Sequence, residues 1–243
     1  MEANYRDKFN GNLSSETPVT FSLLVHDRET GTYGGAAATG SLCVGGWVLR
    51  GRVDSGLSAS QGTAPSTIWG EEVLDAMRDG EPAADAVARL TGADPGRAHR
   101  QLAALDLTGG TGAFTGAESL PVAHHMAEPG LVVAGNMLGG DGVLPALRQG
   151  YLDARGDMAA RLLAGLRAAD ADASDYRGLQ SAALLVLHPD HPPLTLRIDY
   201  AEAPLDALET LLTRAQGAPY ADWLDVVPVA SDRSRAPKKA PAR

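Results

Sequence analysis

The chain of 243 residues has one cysteine, Cys43, and three lysines, Lys8, Lys238 and Lys239. A lone cysteine rules out an internal disulfide and a multi-cysteine metal site, and it suits a reducing compartment, so a cytoplasmic location is expected. Lysines confined to the two ends exclude the Tyr-x-x-x-Lys pair of short-chain dehydrogenases. No run of about 18 apolar residues is present, which argues against a membrane-spanning helix. The start, Met1 to Lys8, is polar and lacks the apolar centre of a signal peptide. Net charge is −9 with no basic stripe through the body, so nucleic acid is not an expected partner. The six histidines never recur at the i, i+4 helical spacing of a zinc protease, and Ser41, Ser60 and Ser181 lie outside any Gly-x-Ser-x-Gly elbow. Neither a metal nor another cofactor is expected.

What remains is ordinary for a globular enzyme or binding module: 44% hydrophobic and 21% charged residues, enough for a sizeable core. Composition divides the chain into a polar extension over 1–18, one domain over 19–230, and a basic Pro-rich tail over 231–243, both ends expected to be disordered. Within the domain, strands are expected over 20–27, 33–39, 42–49, 53–60, 101–107, 113–115, 121–125, 131–136, 181–188 and 194–199. Helices are expected over 67–79, 83–90, 143–154, 158–169 and 205–215, the first with Ile68, Val73, Leu74 and Met77 on its inner face. Strict strand–helix alternation is missing, so a doubly wound sheet is disfavoured. The blocks suit an α+β fold of two sheets packed face to face with helices outside.

Three segments invite a chemical reading. Thr108 to Gly116 is rich in glycine, like a dinucleotide loop, but it lies mid-chain and no helix follows to receive a pyrophosphate, so it reads as a turn. Asn136, in Gly135-Asn136-Met137-Leu138, ends an apolar strand. It suits either an amide that donates to an oxyanion or a turn cap. Asp175 and Arg177 precede the strand that starts at Ser181; they suit a mutual ion pair or a grip on a substrate carboxylate. Gln61 ends another strand and suits a site wall or a turn.

The junction Val19-Thr20 is the most informative point. Thr20 opens the first convincing strand, Thr20 to Asp27. A threonine with a free α-amine holds a nucleophile and a base in one residue. The many Ala, Gly and Arg residues suggest a GC-rich genome, where GTG, read internally as valine, commonly starts translation. Val19 is therefore expected to be the true start, with initiator methionine trimmed to leave Thr20 first; self-cleavage before Thr20 is the alternative.

These segments together resemble the bacterial and archaeal domain of unknown function 1028, assigned to the N-terminal-nucleophile hydrolase-like proteins. The resemblance rests on Val19-Thr20-Phe21-Ser22-Leu23 with Asp27 and Thr30-Gly31, on Cys43-Val44-Gly45 and Ser60-Gln61, and on Asp94-Pro95-Gly96-Arg97 and Arg100-Gln101. It rests most specifically on Gly135 to Leu138 and Arg177 to Val186. Departures occur at Thr39-Gly40, Gly62 to Thr67 and Val122 to His125, where pocket residues are expected. The resemblance implies a four-layer αββα sandwich. It also implies hydrolysis of a small amide or peptide-like C–N bond by Thr20, with Asn136 at the oxyanion and Asp27, Gln61, Asp175 and Arg177 as orienting groups. A homo-oligomer is expected on general grounds. A non-catalytic binding or sensor domain on the same scaffold is the alternative.

Overall fold

In Thr20 to Asp27 every residue from Thr20 to Val25 is buried, polar and apolar alike. A strand whose two faces are both covered must lie between two layers. The computed structural model, which describes residues 19–119, 122–172 and 178–237, shows those layers. Strands β1 (Thr20–Asp27), β2 (Thr32–Thr39), β3 (Leu49–Arg52), β4 (Gly56–Gln61), β5 (Gln101–Leu105), β6 (Thr111–Thr115), β7 (His124–Glu128), β8 (Leu131–Asn136), β9 (Ser181–His188) and β10 (His191–Ile198) form two sheets. Their orders are β10-β9-β2-β1-β8-β7 and β3-β4-β5-β6, with antiparallel pairing throughout.

Side-chain alternation sorts the core into three slabs. Phe21, Leu23 and Val25 of β1 pack outward under helices α4 (Val143–Asp153), α5 (Met158–Asp172) and α6 (Pro204–Ala215). Leu24, with Leu57, Leu105, Val132 and Leu185, fills the space between the sheets. Leu102 and Ala104 pack under α2 (Thr67–Arg78) and α3 (Ala83–Gly92) on the far side. The architecture is thus the four-layer αββα sandwich, with β1 central in the larger sheet.

Local chemistry explains most boundaries. Ser66 caps α2 by accepting from the Trp69 N–H at 3.2 Å. Trp69, not Ile68, takes the inner face of that helix; Ile68 is 64% exposed. The expected strand over 42–49 is instead a helical turn, α1 (Val44–Trp47), followed by β3. Gly45 lets this turn lie on the sheet, since a Cβ there would come within 2.7 Å of Arg197 Cγ and 2.8 Å of Ala183 Cβ. A short helix α7 (Tyr220–Leu224) follows α6 and had no sequence-level signal. Residues 231–237 are not a free tail: the Ser231 N–H donates to the Pro189 carbonyl at 3.0 Å, and Arg235 Nε donates to the Asp225 carbonyl at 2.6 Å. Among the described residues, no helix is long and apolar enough to cross a membrane.

The glycine-rich turn is organised by a carboxylate of its own. Asp106 accepts from the Ala83 N–H (3.1 Å), the Thr108 N–H (2.9 Å) and hydroxyl (2.7 Å), and the Gly110 N–H (2.9 Å). A side chain at Gly110 would strike it, with Cβ within 2.4 Å of Oδ2. The donors a phosphate would need are already engaged. Burial alone would raise the Asp106 pKa, but these bonds outweigh it and hold the carboxyl below the ordinary carboxylate value. A depressed folded-state pKa stabilises the fold above the unfolded value near 3.9, and that contribution is lost as pH falls through the folded value. We expect Asp106→Asn to lower unfolding free energy at pH 7 by about 1–3 kcal/mol, since buried donors lose an acceptor. In urea titrations the gap to wild type should close as pH drops below about 4; equal midpoints at pH 7 would reject this role.

Candidate active site

One end of the inter-sheet slab is polar. Strand register aligns Ser181 with Thr39, Thr39 with Thr20, and Thr20 with Asn136 across the larger sheet. It aligns Gln61 with Gln101, and Gln101 with Thr115, across the smaller one. Alternation turns all seven inward, because Leu24, Ala37, Val132, Ala183, Ala59 and Ala103 on the same strand faces lie in the inter-sheet core. Thr20 is 9% exposed, and Thr39, Gln61, Gln101, Asn136 and Ser181 are all buried. No charged side chain belongs to these rows.

Gln101 ties the rows together. Its Nε2 reaches the backbone carbonyls of His124 and Gly135, both at 3.0 Å, and Thr115 Oγ1 at 2.8 Å, so its two hydrogens are shared among three acceptors. A carbonyl only accepts, so the amide orientation is settled by those two contacts. Its Oε1 must then face the neighbouring amides. Gln61 Nε2 donates to it at 2.7 Å and Asn136 Nδ2 at 3.2 Å. This leaves Gln61 Oε1 and Asn136 Oδ1 buried without a partner, as is Ser22 Oγ one step along β1. The residue after Asn136, Met137, adopts a left-handed conformation at φ 53. Such strain and unpaired buried polar atoms concentrate at functional sites.

At Thr20 itself the hydroxyl lies 2.9 Å from Thr39 Oγ1. Thr39 Oγ1 donates to the Val19 carbonyl at 2.8 Å, and the Gly40 N–H reaches the same carbonyl at 3.0 Å. Val19 therefore lies just ahead of β1, tied to the β2 side through its carbonyl, with its side chain in the helix-side core.

The other sequence-level candidates fall differently. Asp27 ends β1 about 23 Å from Thr20, seven strand residues at about 3.3 Å each. It caps a turn, accepting from the Glu29 N–H at 3.0 Å, and meets Arg161 Nη1 at 3.5 Å. It cannot orient a group at Thr20. Asp175 and Arg177 lie outside the described residues. Gln101 and Thr39 enter the sequence reading only through the family resemblance, and neither they nor Thr115 were among the candidate site residues, although a glutamine inward of Ala103 and Leu105 on one strand face was a readable sign. Two surface grooves of about 450 and 550 Å³ lie elsewhere, one by His26, Asp27 and Arg161, the other under residues 228–230. Among the described residues no group of three or more His, Cys, Asp or Glu could hold a metal ion.

A family model described as a family of unknown function (DUF1028) matches residues 20–208, beginning at Thr20. The chain belongs to the DUF1028 family. The crystal structure of protein SPO2555 from Silicibacter pomeroyi, carrying the same family designation, is 53% identical, with a TM-score of 0.85 over 90% of this chain and 99% of that one. Eukaryotic HslV from Trypanosoma brucei is far more distant, at 16% identity and a TM-score of 0.41 over 69% of this chain and 99% of that one. No curated protein matches the chain. Membership in DUF1028 therefore carries the fold and no reaction.

If Gln101 holds the two sheets' polar ends together, Gln101→Leu removes the acceptor of two buried amides and the donor to the carbonyls of Gly135 and His124. We expect a loss of about 2–4 kcal/mol in denaturant unfolding, one or two unsatisfied groups' worth. A change below about 0.5 kcal/mol would show that the network is not structural.

Proposed function

We propose that this DUF1028 protein is an N-terminal-nucleophile amidohydrolase whose nucleophile is Thr20, cleaving a small amide or peptide-like C–N bond. One observation carries the reading: Thr20 heads the central strand with its hydroxyl turned into the buried polar slab, bonded to Thr39, and the family match starts at the same residue. An N-terminal Thr20 would supply its own base, because an α-amine with a pKa of about 7.7–8.0 has a useful neutral fraction near pH 7.

The reaction balances as follows. Thr20 Oγ1 forms a bond to the substrate carbonyl carbon while its proton passes to the α-amine. The tetrahedral oxyanion collapses, the C–N bond breaks, and the leaving amine takes the proton from the α-ammonium. Water then cleaves the threonyl ester by the same base. Asn136 Nδ2 commits one hydrogen to Gln101, and the second is assigned to the oxyanion; loss of such a donor costs about 2.7–4 kcal/mol of transition-state stabilisation. Gln61, held by the same Gln101 oxygen, lines the wall beside it.

The mechanism requires the Val19–Thr20 bond to be absent, since a peptide nitrogen is not a base. Protein expressed from Met-Thr20 should lose its methionine and show Thr20 as first residue by intact mass. Assayed against a panel of N-acyl amino acids and small amides, it should turn over at least one, with kcat/KM rising through the amine pKa. Thr20→Ala should lower turnover on the order of a thousandfold or more, whereas Thr20→Ser keeps a measurable fraction. Unchanged turnover in the alanine variant, or in protein retaining residues 1–19, would overturn Thr20 as the nucleophile; no turnover of any panel member by Met-Thr20-initiated wild type would favour a non-catalytic binding role.

A further inference from the structure

Hydrogen accounting around Thr39 leads beyond the choice of nucleophile. A threonine hydroxyl has one hydrogen to donate and two lone pairs. In the structure all three are in use. The hydrogen goes to the Val19 carbonyl at 2.8 Å, because a carbonyl has none to offer. One lone pair accepts from the Ser41 N–H at 3.3 Å. The remaining contact is Thr20 Oγ1 at 2.9 Å, and with Thr39's hydrogen already placed, Thr20 must be the donor there. While Val19 is attached, then, the Thr20 hydroxyl hydrogen is turned toward Thr39 and away from its own backbone nitrogen.

Removing Val19 deletes the carbonyl that holds the Thr39 hydrogen. Thr39 is buried, so that hydrogen needs another acceptor within reach, and Thr20 Oγ1 is already in contact. The bond between the two threonines reverses. Thr39 becomes the donor, and the Thr20 hydroxyl hydrogen is released. Backbone parity sets where it can go. In β1 the even residues turn their N–H toward the β8 side, as His26 does in donating to the Gly130 carbonyl. Thr20 shares that parity, so its nitrogen faces away from Thr39, and its hydrogen can pass to the freed amine.

We propose that Thr39 is a positioning residue that holds the Thr20 hydroxyl hydrogen away from the backbone nitrogen while Val19 is attached and, once Val19 is gone, donates to Thr20 Oγ1 and so directs the Thr20 proton to the α-amine. This rests on the nucleophile assignment above. It adds that formation of the amine and reorientation of the hydroxyl are one event, and that a residue from the neighbouring strand stabilises negative charge growing on Oγ1 during attack.

The test needs no substrate. Phenylmethylsulfonyl fluoride transfers its sulfonyl group to a reactive hydroxyl: the Thr20 Oγ1–S bond forms, S–F breaks, fluoride leaves, and the proton goes to the α-amine. Mass mapping follows modification at Thr20 against pH in Met-Thr20-initiated protein. We expect Thr39→Val and Thr39→Ala to lower the plateau rate about tenfold, the worth of about one hydrogen bond, with the pH midpoint unmoved because Thr39 does not touch the amine. Thr39→Ser restores the hydroxyl and should label within about threefold of wild type. Protein keeping Val19 should stay unlabelled in every variant. Wild-type rates in both the valine and alanine variants, a shifted midpoint, or failure of the serine variant to rescue would overturn the role of Thr39. Absence of labelling in Met-Thr20-initiated wild type would instead overturn the nucleophile assignment, and this proposal with it.

Discussion

The site depends on two backbone carbonyls, those of His124 and Gly135, that face one glutamine. Because both only accept, the Gln101 NH2 must point at them, and its oxygen must point the other way. The amide nitrogens of Gln61 and Asn136 are then drawn to that oxygen, and their own oxygens are left over. A chain of amides that looks free to flip is in fact polarised from one end to the other. The same side chain joins the two sheets, since Gln101 belongs to the smaller sheet while Gly135, Asn136 and His124 belong to the larger. Cohesion of the sandwich at this end and the electrostatic sense of the candidate site have a single origin.

That arrangement divides the inter-sheet slab. Away from Thr20 the slab is aliphatic, with Leu24, Leu57, Leu105 and Leu185 meeting face to face, and burial alone stabilises it. At the Thr20 end it is hydroxyls and amides, where burial costs free energy unless every group finds a partner. Most do, but Ser22 Oγ, Gln61 Oε1 and Asn136 Oδ1 do not. A slab built only for stability would continue the leucines to the strand ends. The polar rows, together with the left-handed Met137 beside Asn136, depart from that pattern, and such departures concentrate at functional sites.

Most of the fold was readable because its signals are local. β8 and β9 run over the expected segments, and α6 begins one residue early because Pro204 fits a helix's first turn. The errors came where tertiary contact overrode local pattern. Val44 to Trp47 reads as strand, yet two glycines let it coil onto the sheet end beside Arg197. The inner face of α2 reads through Ile68, yet Trp69 is the residue that packs against Phe114, edge to face at 6.2 Å. The site was legible in part for a related reason. Thr20, Gln61 and Asn136 each stand out as polar residues at the ends of apolar strands. Nothing in sequence says that those three ends coincide, or that Gln101 is what brings them together. Asp27 misled because adjacency to the same strand is not adjacency to the same end.

Val19 shows how the two demands on β1 oppose each other. At the head of β1 it is well used: its side chain is 1% exposed in the helix-side core, and its carbonyl accepts from both Gly40 and Thr39. Full burial of a valine side chain contributes about 1.5–3 kcal/mol, and each backbone bond adds about 1 kcal/mol. A protein that begins at Thr20 forgoes all of this at the head of its central strand. Such a loss is tolerable only if the strand is held elsewhere, and β1 is: Thr20 to Val25 are paired on both sides, by β2 and β8, and buried on both faces. On the proposed mechanism, a nucleophile at the first position of the best-supported strand would let the chain lose its preceding residue without losing the strand. The free amine would then appear beside a hydroxyl that the neighbouring strand already grips, so on that mechanism the geometry of attack comes from β-pairing rather than from a loop.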